Sequence, residues 1–352
     1  MKRMSRVAVC AALAGLWAGP VLADAVADFY AGKTVRMVMP TTPGGSTALY
    51  GTTLGRHMSR HIPGTPTIIH EYRTGSGGLI AANYVYNAAQ KDGTVITMLL
   101  SSTILSQLIQ PKAAKFEIDK FAMIGRMADL PRALISWHTS GIKALDDARR
   151  TSVPLGASGR TSVTTIHPAL LNLFIGTQFK IVTGYGGAGA TYLALERGEI
   201  SATTVAWDGL VGNRGDWLRQ GKINVLARIG DRDFKEYNAA PSLIDLGRTA
   251  EEKAVLRLTL LPSEMGQAVS GPPGLPADRL AALRKAFDAT MKDPTFLQEA
   301  KKRAMVIEPM TGDELLRLIK VGIDQPQSII DRTRDLVATG AKATSQRKKD
   351  KK

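Results

Sequence analysis

The sequence predicts an α/β protein folded as two lobes, and three observations predict it. Short β-branched runs alternate with helix-length stretches from residue 34 to residue 230. Glycine-rich turns stand where those runs give way to helices. The last third of the chain reads as a series of helices, which need a sheet face built earlier in the chain to cover.

Strands are expected at residues 34–39, 67–72 and 94–100, with helices at 47–61 and 79–90 between them. Gly44, Gly45 and Ser46 make the first turn, Pro63-Gly64 stops the first helix, and Asp92-Gly93 ends the second. This β-α-β-α-β order implies a mainly parallel sheet with helices on both faces. A second set has strands at 133–137, 153–156, 180–183, 200–206 and 224–228, with helices at 145–150, 164–174, 188–197 and 209–220. An irregular stretch marked by Pro and Gly follows Ile229, and then helices at 276–291, 294–303, 311–320 and 327–338. The late helices require the chain to return to the first sheet. Two crossings are therefore expected, near residues 126–132 and 228–235. Lobe one is 24–128 plus 235–340, and lobe two is 129–234. A ligand belongs in the cleft between two such lobes.

The ends of the chain are set apart. Lys2, Arg3 and Arg6 precede an uncharged, mostly apolar run over residues 7–17, and small residues precede Asp24. That is the pattern of a cleavable signal peptide, residues 1–23, because the run is too short to span a bilayer. Cys10, the only cysteine, lies inside the run, with bulky Val9 before it, which argues against lipidation. The mature chain then has no disulfide, no thiolate metal site and no cysteine nucleophile. The formal net charge is +15. The signal peptide takes three basic residues and leaves +12, and residues 341–352, six basic against Asp350, take a further +5. This tail is expected to be disordered. The remaining body, at about +7, favours anions but has no zinc-finger spacing and no interleaving of aromatic and basic residues for nucleic acid.

Four turns carry the candidate site. Pro43, Gly44, Gly45, Ser46 and Thr47 connect a strand to a helix. Glycines there leave backbone N–H groups uncovered, and the positive end of the helix adds to them. The Gly-Lys-Ser/Thr of a P-loop is absent, so nucleotide hydrolysis is unsupported. Gly75, Ser76, Gly77 and Gly78 repeat the arrangement in the first lobe. Ser158, Gly159, Thr161 and Ser162, then Tyr185, Gly186 and Gly187, repeat it in the second. All four lie at the carboxyl ends of expected parallel strands, the ligand side of such sheets. Trp207 and Asp208 end a further strand, where Trp207 either stacks on a ligand or caps the core.

In order and spacing these segments resemble the solute receptors of tripartite tricarboxylate transporters, the TctC or Bug receptors. Residues 40–47, 75–78, 92–94, 156–162, 185–187, 196–200 and 271–279 carry the likeness, which covers nearly all of 30–338. The resemblance implies a two-lobed periplasmic binding protein-like fold of type II. It implies a periplasmic receptor, not an enzyme, without cofactor and monomeric. Main-chain N–H groups of the first two loops would hold a small carboxylate or other small organic anion, which passes to membrane permease subunits. Ala48 and Thr52 stand where the family usually has Asp and Arg, and Arg73 is a candidate to compensate as a guanidinium beside the pocket.

Other readings are weaker. His57 and His61 are four apart on a helix but lack a third metal ligand, and read as part of a solvated basic face. His167 reads as a structural, hydrogen-bonded side chain. Ser158 has Gly156 two residues before it but Arg160 two after, which breaks the hydrolase elbow. A secreted serine-type hydrolase, or a binding protein feeding a sensor instead of a transporter, are the alternative functions.

Overall fold

The computed structural model describes residues 21–349 except Gly44, Arg160, Thr161 and 231–239. The expected signal peptide therefore lies outside the described residues up to residue 20, and α1 (Val21–Tyr30) begins within its last residues. The first half continues with β1 (Thr34–Met39), α2 (Ser46–Met58), β2 (Thr67–Tyr72), α3 (Leu79–Asn87), β3 (Val95–Leu99), α4 (Ser102–Ile109) and β4 (Ala122–Arg126). The middle holds β5 (Arg132–Trp137), α5 (Leu145–Arg150), β6 (Val153–Ala157), α6 (Val163–Phe174), β7 (Phe179–Thr183), α7 (Ala188–Glu196), β8 (Ala202–Ala206), α8 (Trp207–Arg219) and β9 (Ile223–Ile229). The chain ends with α9 (Ala250–Met265), β10 (Ala268–Gly271), α10 (Ala277–Lys292), α11 (Pro294–Lys302), β11 (Met310–Thr311), α12 (Gly312–Ile323) and α13 (Gln327–Lys349).

Two sheets result. One has the order β11-β4-β10-β3-β1-β2 and the other β7-β6-β8-β5-β9. The α/β class with two helix-flanked sheets is as expected, but both sheets are mixed where mainly parallel ones were anticipated. Parallel pairing joins β1 to β2 and β3, and β6 to β7 and β8. Antiparallel pairing joins β10 to β3 and β4, β11 to β4, and β5 to β8 and β9. The antiparallel strands are those that enter or return across the molecule, so they run against the βαβ units. In β1, Val35, Met37 and Met39 pack with Leu54, Met58 and Phe287 on one face. Val38 packs with Leu79 and Val85 on the other. A strand covered on both faces is the rule where crossover helices flank a sheet.

Several elements were not anticipated: α4, β4, β10, β11 and, above all, α9, which falls in the stretch read as irregular. Its signal was in the sequence. Thr249 accepts from the Glu252 N–H and Glu252 returns to the cap backbone, a capping box that starts the helix. Pro262 is accommodated near its end. The tail also differs from expectation. α13 is helical through Lys349, with only 350–352 outside the described residues. Its Ala, Lys, Gln and Arg content favours helix even where no apolar face asks for one.

The sheets are joined at their carboxyl edges. β4 ends at Arg126, and Arg132 opens β5 opposite Ala206, the end of β8. The five residues between cannot span more than about 20 Å. On the return, Ile229 ends β9 opposite Arg132, and β10 starts opposite Arg126. The carboxyl ends of the parallel strands in both sheets therefore face one another across the crossings.

Candidate functional site

Six helices begin at these facing edges: α2, α3 and α4 follow β1, β2 and β3, and α6, α7 and α8 follow β6, β7 and β8. None of the six has a side-chain hydrogen bond at its N-cap. Away from the edges the helices are mixed: α5 and α10 also begin without a side-chain cap hydrogen bond, and three others have one. Thr249, Asp293 and Thr311 cap α9, α11 and α12 with their side chains. First-turn N–H groups without a side-chain cap carry the positive end of the helix dipole; some meet loop carbonyls, as Leu79 meets Ser76 O and Thr103 meets Leu100 O, and the others are open to an acceptor.

In the first loop Gly45 is the N-cap of α2 (φ −88°, ψ 163°), with open space where a Cβ would stand. Pro43, Gly45 and Ser46 are exposed, and Thr47 and Ala48 are buried below them. Gly44 lies outside the described residues. The second loop takes positive φ at four successive residues: Gly75 (121°), Ser76 (47°), Gly77 (63°) and Gly78 (91°). Left-handed backbone turns N–H groups to one side and suits glycine; Ser76 holds it at a cost. Ser102, at the start of α4, donates to the Gly77 carbonyl (2.9 Å) and braces the loop.

The loops of the second sheet are tied internally. Thr164 Oγ1 accepts from Ser158 N–H (3.1 Å), and Ser162 Oγ donates to Gly159 O (2.8 Å). Thr161 lies outside the described residues. Ser158 Oγ meets Thr164 Oγ1 (3.1 Å), and among the described residues no imidazole hydrogen-bonds to it, so the hydrolase arrangement lacks its base there. Gly184 donates to Ala157 O and Ser158 O, binding the fourth loop to the third, and leaves Gly186 and Gly187 exposed beside half-buried Tyr185.

Three expectations are corrected. Trp207 is 1% exposed and packs in a core cluster with Trp217 and Tyr192, so its ring is core and not a stacking surface. Arg73 donates to Glu71 and lies 3.5 Å over the Tyr84 ring, a neighbour on α3, which commits its guanidinium to the flank of the sheet. The basic face at the end of α2 is an ion-pair seam: Arg56 and Arg60 are exposed as expected, but each basic side chain is paired to an acid and His57 is buried. His57 and Arg56 meet Glu299, and His61 and Arg60 meet Asp293 of α11's cap, partners more than 230 residues away in sequence. Those contacts hold the Asp293 carboxyl well below its ordinary range, chiefly through Thr295 and then His61. Among the described residues no cluster fit for a metal ion exists.

Asp208 stands at the start of α8. Burial, and then the charge of Glu308, push its carboxyl up to about 6. Glu308 belongs to the other half of the molecule, where its N–H donates to Met127 O just past β4. Their mutual influence, and the close approach of Gly212 to Ala304, show how near the two edges come. Sequence reasoning missed Glu308, Ser102 and Gln267. Gln267 sits just before β10, is 2% exposed, and donates from Nε2 to Ser46 Oγ (3.1 Å). A surface cavity of about 640 Å³ between α9 and α13 lies apart from the edges, and its Glu251 and Arg332 pair with each other.

Residues 54–334 match the family described as tripartite tricarboxylate transporter family receptor. A UPF0065 protein of Cupriavidus necator is 23% identical over 342 residues, 94% of this chain and 96% of its own. Two Rhodopseudomonas palustris structures share the fold. MatC with bound malate has 19% identity and a TM-score of 0.61, covering 87% of this chain and 99% of its own. A protein solved with adipate has 18% identity and a TM-score of 0.63, covering 88% and 97%. Among the described residues no helix is long and apolar enough to cross a membrane.

Proposed function

The chain belongs to the tripartite tricarboxylate transporter receptor family and is a solute-binding receptor, not an enzyme; we propose that its ligand is a small organic carboxylate taken up between the two facing edges. One observation carries the reading: six helix N-termini converge there without a side-chain cap. A ligand carboxylate supplies acceptors for their open N–H groups, each charged hydrogen bond contributing about 1.5–3 kcal/mol. Gly45, Ser46, Thr47, Gly75, Ser76, Gly77 and Gly78 form the primary cradle, and Ser158, Gly159, Ser162, Tyr185, Gly186, Gly187 and Asp208 close on it. Malate and adipate in two structures of this fold support the same ligand chemistry. The reading extends to export through a cleavable signal peptide over residues 1–23, to a monomer in the periplasm, and to delivery of the ligand to permease subunits.

A thermal-shift screen with dicarboxylates, tricarboxylates, aromatic acids and amines tests it. Ligands that bind only the folded state raise Tm with concentration. Carboxylates are expected to do so and amines not. A response confined to amines would refute the proposal.

A further inference from the structure

Gln267 enters the first loop from far along the chain. It is held by its backbone, donating to Ala128 O (2.8 Å) and accepting from Met127 N–H (3.0 Å), at the point where the chain crosses between sheets. Its side chain is buried, its Nε2 donates to Ser46 Oγ, and its Oε1 has no partner. Ser46 is the first residue of α2 and is exposed.

We infer that Gln267 is a positioning residue for the anion site, acting through Ser46. A hydroxyl has one proton and two acceptor sites. With the Gln267 amide hydrogen occupying one acceptor site, the Ser46 proton has no place on that side and turns outward. A hydroxyl that accepts a hydrogen bond also donates more strongly. Ser46 is thereby set as a donor toward an ionised carboxylate, and against ligands that present a donor at the same place, such as a carboxamide or an ammonium. The amide is held by this single side-chain contact, which leaves Oε1 unpaired and burial as its only other restraint.

The inference rests on the carboxylate reading above, and the test separates the two. The tightest binder from a panel of malate, succinate, adipate, citrate and benzoate serves as probe in calorimetry with the wild type, Ser46→Ala, Gln267→Met and the double variant. Each single variant is expected to weaken binding about tenfold, the scale of one hydrogen bond to a charged group. The double variant is expected to be no weaker than Ser46→Ala alone, because the amide acts only through the hydroxyl. The unliganded Tm of Gln267→Met should not fall, since the substitution also removes an unpaired buried oxygen. Additive losses, or unchanged affinity in Gln267→Met, overturn the inference and leave the receptor reading standing. If Gln267→Met does not fold, Gln267→Glu replaces it; its carboxylate takes the Ser46 proton, so undiminished binding would overturn the inference. A panel in which nothing binds the wild type removes both.

Discussion

At the scale of the residue, the same type of side chain serves different ends according to what surrounds it. Gly45 has open space beside it and a φ any residue adopts, so Gly45→Leu should fold with an unchanged Tm. Its side chain would stand in the space proposed for the ligand, and calorimetry should find binding lost. Normal affinity in that variant would move the site elsewhere. His167 is fully buried on α6, with Nε2 on the Thr259 carbonyl (3.1 Å) and Nδ1 unpartnered. Burial lowers its pKa to about 4, with nearby Arg132 adding to the effect. The folded state thus keeps the ring neutral, and the unfolded chain takes up the proton first. Its contribution to stability is whole above pH 6.5 and lost as pH falls toward 4, by about 3 kcal/mol. Urea midpoints measured across that range should fall in the wild type and fall less in His167→Gln. Equal slopes would show that other groups govern the acid limb.

At the scale of the element, the helices differ in how they begin. The six helices at the facing edges have no side-chain cap, nor do α5 and α10, while α9, α11 and α12 are capped by Thr249, Asp293 and Thr311. Capping is a stability device worth about 1 kcal/mol. Thr249→Ala should therefore cost about 1 kcal/mol and lower Tm by about 2 °C, with ligand affinity unchanged. A loss of affinity equal to that of a loop variant would mean that α9 shapes the site directly. α9 also shows what single-chain patterns reveal. Thr249 and Glu252 announced its start, yet the Pro and Gly residues marking the stretch after Ile229 made the segment read as irregular. The strands β4 and β10 were less legible still, because each is short and gains its partners from distant parts of the chain.

At the scale of the whole molecule, one apolar cluster runs from Val38 and Leu79 in the first sheet's region to Leu170 and Phe179 in the second's, through Leu256 and Leu260 of α9. That shared core ties the two sheets together, so a movement of one against the other would slide or pivot on it. Asp208 and Glu308 bring like charges together from the two halves, with the Asp208 carboxyl near 6. A raised carboxyl pKa means neutralisation begins as pH drops through 6, which removes a negative charge from the edge. Affinity for an anion that stays ionised should rise between pH 7 and pH 5. Asp208→Asn should bind at the low-pH level throughout, and a flat wild-type profile would remove Asp208 from the site's electrostatics. The family resemblance drawn from the loop segments is matched over residues 54–334.

The sequence by itself determined the α/β class, the four glycine turns and their places after strands. Those are local matters, set by periodicity and by the backbone freedom of glycine, which a linear pattern carries in full. Only the tertiary structure decided that Trp207 is core, that Arg73 leans on Tyr84, that His57 and His61 meet acids of α11, and that Gln267 reaches Ser46. Each of these joins residues far apart in the chain, or buries a side chain through the return of a distant segment. Free energy from such contacts depends on distance in space, for which position in sequence is no guide.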